Sequence, residues 1–249
     1  MDLLLEGQVA VVTGASRGLG LAICRAFAAE KMAVLAAART ADALDALVAE
    51  HPGQVAAAPC DVRDPDQVAG LADLALSTFG RLDVVVNNAG IAPAARFLDA
   101  DLDVWRTVLD VNVLAAVALC RAAGPTLVAQ GHGKVINVAS TSGLRGKPTL
   151  AAYSASKGAL LRFTEALAGE WAAANVQVNA IAPGAFATSA QDAVLSSPDV
   201  LARRLRKIPA GRMGDAAEIG PLACYLASPR SDFVTGACYV IDGGEASKL

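Results

Sequence analysis

Val9-Ala10-Val11-Val12-Thr13-Gly14-Ala15-Ser16-Arg17-Gly18-Leu19-Gly20 decides how this chain is read. Its first four residues form an uninterrupted apolar run, as expected of a parallel strand buried on both faces. The run empties into a turn with glycines at 14, 18 and 20, and a helical pattern follows through Leu21, Ile23, Cys24 and Phe27. Glycines let the backbone turn sharply and approach a pyrophosphate closely, while the free N–H groups and dipole of a helix N-terminus favour its negative charge. The spacing is GxxxGxG, not GxGxxG, and alone it could be only a tight turn. Set between a strand near the chain start and an amphipathic helix, it predicts dinucleotide binding.

Outward from this unit, strands are predicted near 8–13, 32–37, 54–58, 83–87, 133–138, 175–181 and 237–241. They alternate with helices near 18–30, 41–50, 65–79, 101–129, 152–174 and 214–227. That alternation predicts a Rossmann-like, doubly wound α/β fold, with a mostly seven-stranded parallel sheet and helices on both faces. No polar or Pro/Gly-rich linker divides the 249 residues, so a single domain over 1–249 is expected. The segment near 186–212 breaks the rhythm with Ser196-Ser197-Pro198 and then a short helix from Leu201 to Lys207. It follows the strand ending near Ile181, beyond the carboxyl end where open α/β sheets bind ligands, and is expected to cover substrate unless it is a plain surface loop.

Composition narrows the class. A net charge of −3 provides no basic field for nucleic acid, and the longest uninterrupted apolar stretch, Val113 to Cys120, is too short to span a bilayer. The amino-terminal stretch Met1-Asp2-Leu3-Leu4-Leu5-Glu6 lacks the pattern of a signal peptide, so a cytoplasmic protein is expected. Cys24, Cys60, Cys120, Cys224 and Cys238 are scattered singly and only His51 and His132 accompany them, which argues against a metal site or a disulfide framework. Most of these thiols sit among alanine, leucine and valine and read as small packing groups.

Chemistry concentrates at Tyr153 and Lys157, four positions apart, because one helical turn stacks a phenol and an ammonium on one face. A phenol titrates near ~10, and an adjacent cation brings it towards the working range of a general acid. The bland reading is a packed ring beside a snorkelling lysine. Asn112 lies in a predicted helix that otherwise runs apolar, where a buried amide is costly unless paired.

Together, Thr13–Gly20, Asn87-Asn88-Ala89-Gly90, Asn112, Ser140, Tyr153, Lys157 and Pro183-Gly184 through Thr188 resemble the short-chain dehydrogenase/reductase family, in its order and at its separations. The resemblance covers nearly the whole chain, within the branch of 3-oxoacyl reductases and sugar-acid and polyol dehydrogenases. It implies reversible hydride transfer between a nicotinamide and a carbonyl or secondary alcohol. Tyr153 would be acid in reduction and base in oxidation. Lys157 would lower its pKa and bind the nicotinamide ribose, Ser140 would donate to the substrate oxygen, and Asn112 would hold a proton-relaying water. Ser142 rivals Ser140, but only Ser140 has the family separation of 13 positions from Tyr153.

For the cofactor, the resemblance implies Gly14, Ser16, Arg17, Gly18, Leu19 and Gly20 at the pyrophosphate, and Asn88, Ala89 and Gly90 near the adenosine ribose. Asp61, followed by Val62, would accept from the adenine amino group, although an acid near Pro65 is equally a helix cap. Pro183, Gly184, Phe186 and Thr188 would grip the carboxamide. NAD binders usually end the second strand with an acid; here Ala38 stands there and Arg39 follows, while Asp42 suits the first turn of the next helix. Arg39 and Arg17 suit a 2′-phosphate, so NADP(H) is expected over NAD(H).

Gly131 and Ala174 are neutral where carrier-protein reductases tend to be basic, which argues against an acyl carrier protein as partner. Family helices like those holding Asn112 and Tyr153, and a last strand like Ala237 to Ile241, pair between subunits, so a homotetramer is expected. Arg203, Arg204, Arg206 and Lys207 crowd the covering helix, with Arg145 and Lys147 on the opposite rim. They form either a solvated basic face, with Leu201 and Leu205 turned inward, or an attractor for an anionic substrate. A non-catalytic dinucleotide sensor or scaffold on the same fold is the alternative function, though it has no need of the four-residue catalytic set.

Overall fold

The computed structural model describes residues 2–247; Met1, where the amino-terminal stretch begins, and the last two residues of the expected 1–249 domain lie outside them. Strands β1 (Val9–Thr13), β2 (Ala33–Ala38), β3 (Val55–Pro59), β4 (Val84–Asn87), β5 (Gly133–Val138) and β6 (Val176–Pro183) come first. The pair β7 (Phe186–Ala187) and β8 (Gly214–Asp215) and the last strand β9 (Cys238–Ile241) complete the set. Helices α1 (Gly18–Ala29), α2 (Ala41–Glu50), α3 (Pro65–Phe79), α4 (Leu102–Leu109) and α5 (Ala115–Ala129) alternate with the first strands. After them come α6 (Thr141–Leu144), α7 (Ala151–Trp171), α8 (Asp192–Leu195), α9 (Pro198–Leu205) and α10 (Gly220–Ala227).

Seven strands form one parallel sheet in the order β3-β2-β1-β4-β5-β6-β9. The Rossmann-like, doubly wound fold is therefore present, with its strand order reversing between β1 and β4. Side chains alternate across each strand: Val9 and Val11 join one apolar cluster with Leu71, Leu119 and Leu127, while Ala10 and Val12 join the other with Ile23, Phe27 and Leu226. Both faces are buried, so the strand reads as a continuous apolar run.

Several boundaries differ from expectation for local reasons. The helix expected over 101–129 carries a π-helical turn at Asp110–Leu114, and the helix over 152–174 ends in a 3-10 turn with Asn175 at φ 56. The helix expected from 214 starts later, because Gly214 and Asp215 pair with Phe186 and Ala187 as a two-residue parallel ladder. Asp215 and Glu218 then close a capping box before α10. The acid capping α3 is Asp64, not Asp61: its carboxylate accepts from the N–H groups of Asp66 and Gln67 at 3.0 and 3.2 Å, with Pro65 opening the helix. Cys238 is exposed, whereas the other four cysteines are buried.

The helical run Leu102–Ala129, at 28 residues and mean hydropathy 1.6 over its most apolar window, is long and apolar enough to cross a membrane, which inspection of uninterrupted apolar runs missed. Half of that window is buried in the fold, where Leu119, Cys120, Ala123 and Leu127 pack against the sheet.

Candidate active site

A cavity of about 1070 Å³ opens at the carboxyl ends of the strands, where the strand order reverses. Gly14, Ser16, Arg17, Gly18, Leu19 and Gly20 line it first, and Gly14 and Gly18 hold φ of 66 and 58. A Cβ on Gly20 would collide with the Gly14 carbonyl and the Asn88 amide, so the turn closes this tightly only with glycine. Thr13 and Asn88 lock it: Thr13 Oγ1 accepts from Asn88 N and Ala89 N at 3.0 and 3.2 Å, and Asn88 Nδ2 donates to the carbonyls of Thr13 and Gly14 at 2.8 and 3.1 Å. Helix α1 has no side-chain cap and no acid in its first turn, which leaves N–H groups for an anion at the cavity wall.

At one end of the cavity stand Arg39, Asp61 and Val62, and with them Arg63, which sequence reading did not single out. Arg63 grips both Asp61 oxygens, at 2.5 and 3.1 Å, and holds the carboxyl down at about 2, with a smaller contribution from Arg39. Asp42 lies in the first turn of α2, as expected. The uncapped helix end, and Arg63 and Arg39 acting on one acid in the same cavity, fit a phosphorylated dinucleotide.

Asn88, Ala89 and Gly90 line the middle of the cavity, and Pro183, Gly184, Phe186 and Thr188 line the far side. Phe186 is buried, with its ring against Gly214, where a Cβ would come within 2.8 Å of it. Ser140, Tyr153 and Lys157 face the same space. Ser140 caps α6, its Oγ accepting from Ser142 N at 3.0 Å, which leaves its proton to be donated elsewhere. Gly143 lets α6 lie on the Lys157 backbone, where a Cβ would come to 2.7 Å of the carbonyl carbon.

The Lys157 ammonium donates to Val138 O at 2.7 Å and lies 6.0 Å from the Tyr153 ring centroid. Burial pushes it down to about 8. Tyr153 departs from the sequence expectation: burial raises its pKa, and a hydrogen bond with Ser140, rather than the lysine, draws it back.

Asn112 does not line the cavity; it sits behind it, in the π turn. Its Oδ1 accepts from Ile91 N at 2.8 Å, and its Nδ2 donates to Ile91 O and Ser156 Oγ, both at 2.9 Å. This amide therefore ties the loop after β4 to α7, and π turns often occur at such functional positions. Thr149, also unforeseen, lines the rim at φ 64, rare for a β-branched residue, and its carbonyl accepts from Ala95 N at 2.9 Å.

The covering helix is α9, and Leu201 and Leu205 pack inward against Ala185, Ile208 and Met213 as expected. Its basic face is not simply solvated. Arg204 lines the cavity and forms a two-pronged pair with Glu245, at 2.5 and 2.7 Å, and Lys147 lies 3.7 Å from the same carboxylate. Glu245 was not foreseen. Among the described residues no group of His, Cys, Asp and Glu could hold a metal ion.

A family model described as enoyl-(acyl carrier protein) reductase matches residues 14–245. The galactitol 2-dehydrogenase (L-tagatose-forming) of Cereibacter sphaeroides is 41% identical over 243 residues, covering 96% of this chain and 95% of its own. A 3-oxoacyl-[acyl-carrier-protein] reductase of Synechocystis is 37% identical over 245 residues, covering 96% and 97%. The crystal structure of a gluconate 5-dehydrogenase from Burkholderia cenocepacia J2315, in complex with NADP and tartrate, superposes with a TM-score of 0.93 at 32% identity, covering 98% and 97%. The chain belongs to the short-chain dehydrogenase/reductase family of oxidoreductases.

Proposed function

We propose that this protein moves a hydride reversibly between NADP(H) and a carbonyl or secondary alcohol, within one dinucleotide-binding domain whose segment 186–212 covers the substrate. The observation that carries this reading is the meeting of Ser140, Tyr153 and Lys157 in the cavity that begins at the glycine turn. Bound there, the cofactor supplies or accepts the hydride. In reduction the Tyr153 hydroxyl donates its proton to the substrate oxygen, and in oxidation the phenolate takes it back. Ser140, its lone pair already engaged by Ser142 N–H, donates to the same oxygen as charge builds on it. Lys157 stabilises the phenolate and, turned from the Val138 carbonyl, is within the site to bind a ribose hydroxyl. Asn112 is a positioning residue, both of its amide N–H bonds being committed to Ile91 and Ser156, and the proton relay the resemblance implies would pass beside it.

Arg39 and Arg63 against Asp61 leave one net positive charge at the adenosine end, and with Arg17 lining the same cavity they match a 2′-phosphate and favour NADP(H) over NAD(H). The relatives' names support substrates among polyols, sugar acids and 3-oxoacyl thioesters. A cytoplasmic homotetramer is part of the same proposal, with exposed Phe97, Leu98 and Leu102 before and on α4, and Phe233 before and Val240 on β9, as faces a second copy would cover. The test is a screen of polyols, sugar acids, ketones and acyl thioesters with NADP(H) and NAD(H), following nicotinamide absorbance. Transfer with at least one of them, faster with NADP(H), is expected; no transfer with any would overturn the proposal.

A further inference from the structure

Lys147 has a side chain two-thirds buried, at 32% exposure, in the wall of the cavity that holds Ser140 and Tyr153. Burying a cation is costly unless close partners replace its water. Among the described residues this one has none at ordinary hydrogen-bond length: Thr141 Oγ1 lies at 3.5 Å and Glu245 Oε1 at 3.7 Å. Glu245 is committed elsewhere, because Arg204 holds both its oxygens at 2.5 and 2.7 Å. The Arg204–Glu245 pair cancels, and Lys147, with the charge of Lys207 near it, leaves a positive surplus beside the residue that follows Ser140. Burial pulls the Lys147 pKa down, and the nearby Arg204 and Lys207 add to that, while Glu245 opposes it.

Resting on the hydride-transfer reading above, we propose that Lys147 receives a carboxylate of the substrate, so that the reacting carbonyl or alcohol belongs to a keto or hydroxy acid. A singly charged carboxylate meets less repulsion from the neighbouring Glu245 than a phosphate dianion would. Arg204 acts through Glu245 as a positioning residue that fixes this balance and holds α9 to the carboxyl-terminal turn.

The test is calorimetric binding, with and without NADP+, of linear hydroxy acids from glycolate to D-gluconate. Each is paired with the alcohol that bears CH2OH in place of the carboxylate. At low salt at least one acid should bind the wild type about tenfold or more tightly than its alcohol, as expected for a charge-assisted bond. Lys147→Met should erase that preference, Lys147→Arg should restore much of it, and Glu245→Gln should strengthen it by removing a competing anion. No preference for any acid, a preference that survives Lys147→Met, or an equal loss for acid and alcohol would overturn the proposal. Binding is read without turnover, so failure of hydride transfer in the substrate screen would be seen separately.

Discussion

Both ends of the sheet bury charge, and they treat it differently. At the amino ends, Asp83 accepts from Val9 N at 2.8 Å, from Arg81 through two bonds of 2.8 Å, and lies 3.2 Å from His132 Nε2. Lys134 there donates to Gln177 at 2.7 Å and Asp232 at 2.5 Å. At the carboxyl ends, Lys157 has one backbone carbonyl, Lys147 only long contacts, and Tyr153 a hydroxyl neighbour. Saturated charge pins β1, β4, β5 and β6 together. Charge left short of partners, inside a cavity, is held for a ligand or a proton.

The largest effect should come from the under-partnered end. Tyr153→Phe keeps the ring and removes the transferable proton, so turnover should fall by about 10²–10⁴-fold while NADPH binding, followed by nicotinamide fluorescence, persists. Near-normal turnover would remove Tyr153 from the acid's place. At the saturated end the effect should fall on stability instead. Asp83→Ala strands the buried Val9 N–H and releases the half-exposed Arg81, and urea unfolding should show a loss of roughly 1–3 kcal/mol, with hydride transfer per folded molecule unchanged. A loss below about 1 kcal/mol would mean that the amino-end network pins nothing.

A smaller effect should separate the cofactors. Arg39→Gln should weaken NADPH about tenfold, through one lost charge-assisted contact, and leave NADH nearly unaffected. Equal losses in titrations with both would remove the 2′-phosphate assignment.

Much of this was legible in the sequence. The strands announced themselves because both sheet faces are covered, and every cofactor position read from the motifs lines one cavity. What stayed hidden depends on tertiary distance or on backbone detail. The π turn at Asn112 leaves the apolar pattern of a helix intact, so spacing does not reveal it. The β7–β8 ladder has two residues per strand, too few for any periodicity. Glu245 reaches Arg204 across 41 positions, and that pairing turned an apparent basic face into a clasp. The Tyr153 pKa moved opposite to expectation because burial outweighs the Ser140 hydrogen bond that opposes it, and burial is a property of the packed chain.

The most direct measurement is urea unfolding of Lys157→Met beside the wild type, from pH 7 to 10. In the folded protein Lys157 is pushed down to about 8, against an ordinary value of 10.5. At pH 7 both folded and unfolded states hold the proton, so the folded state carries the whole burden of a buried charge. Between about 8 and 10.5 only the unfolded state keeps the proton, and the burden lessens as pH rises. If Lys157 is kept for chemistry and not for the fold, the variant should be as stable as the wild type or more so at pH 7, with its advantage shrinking towards pH 10. A midpoint that falls as far as that of Asp83→Ala would contradict the account.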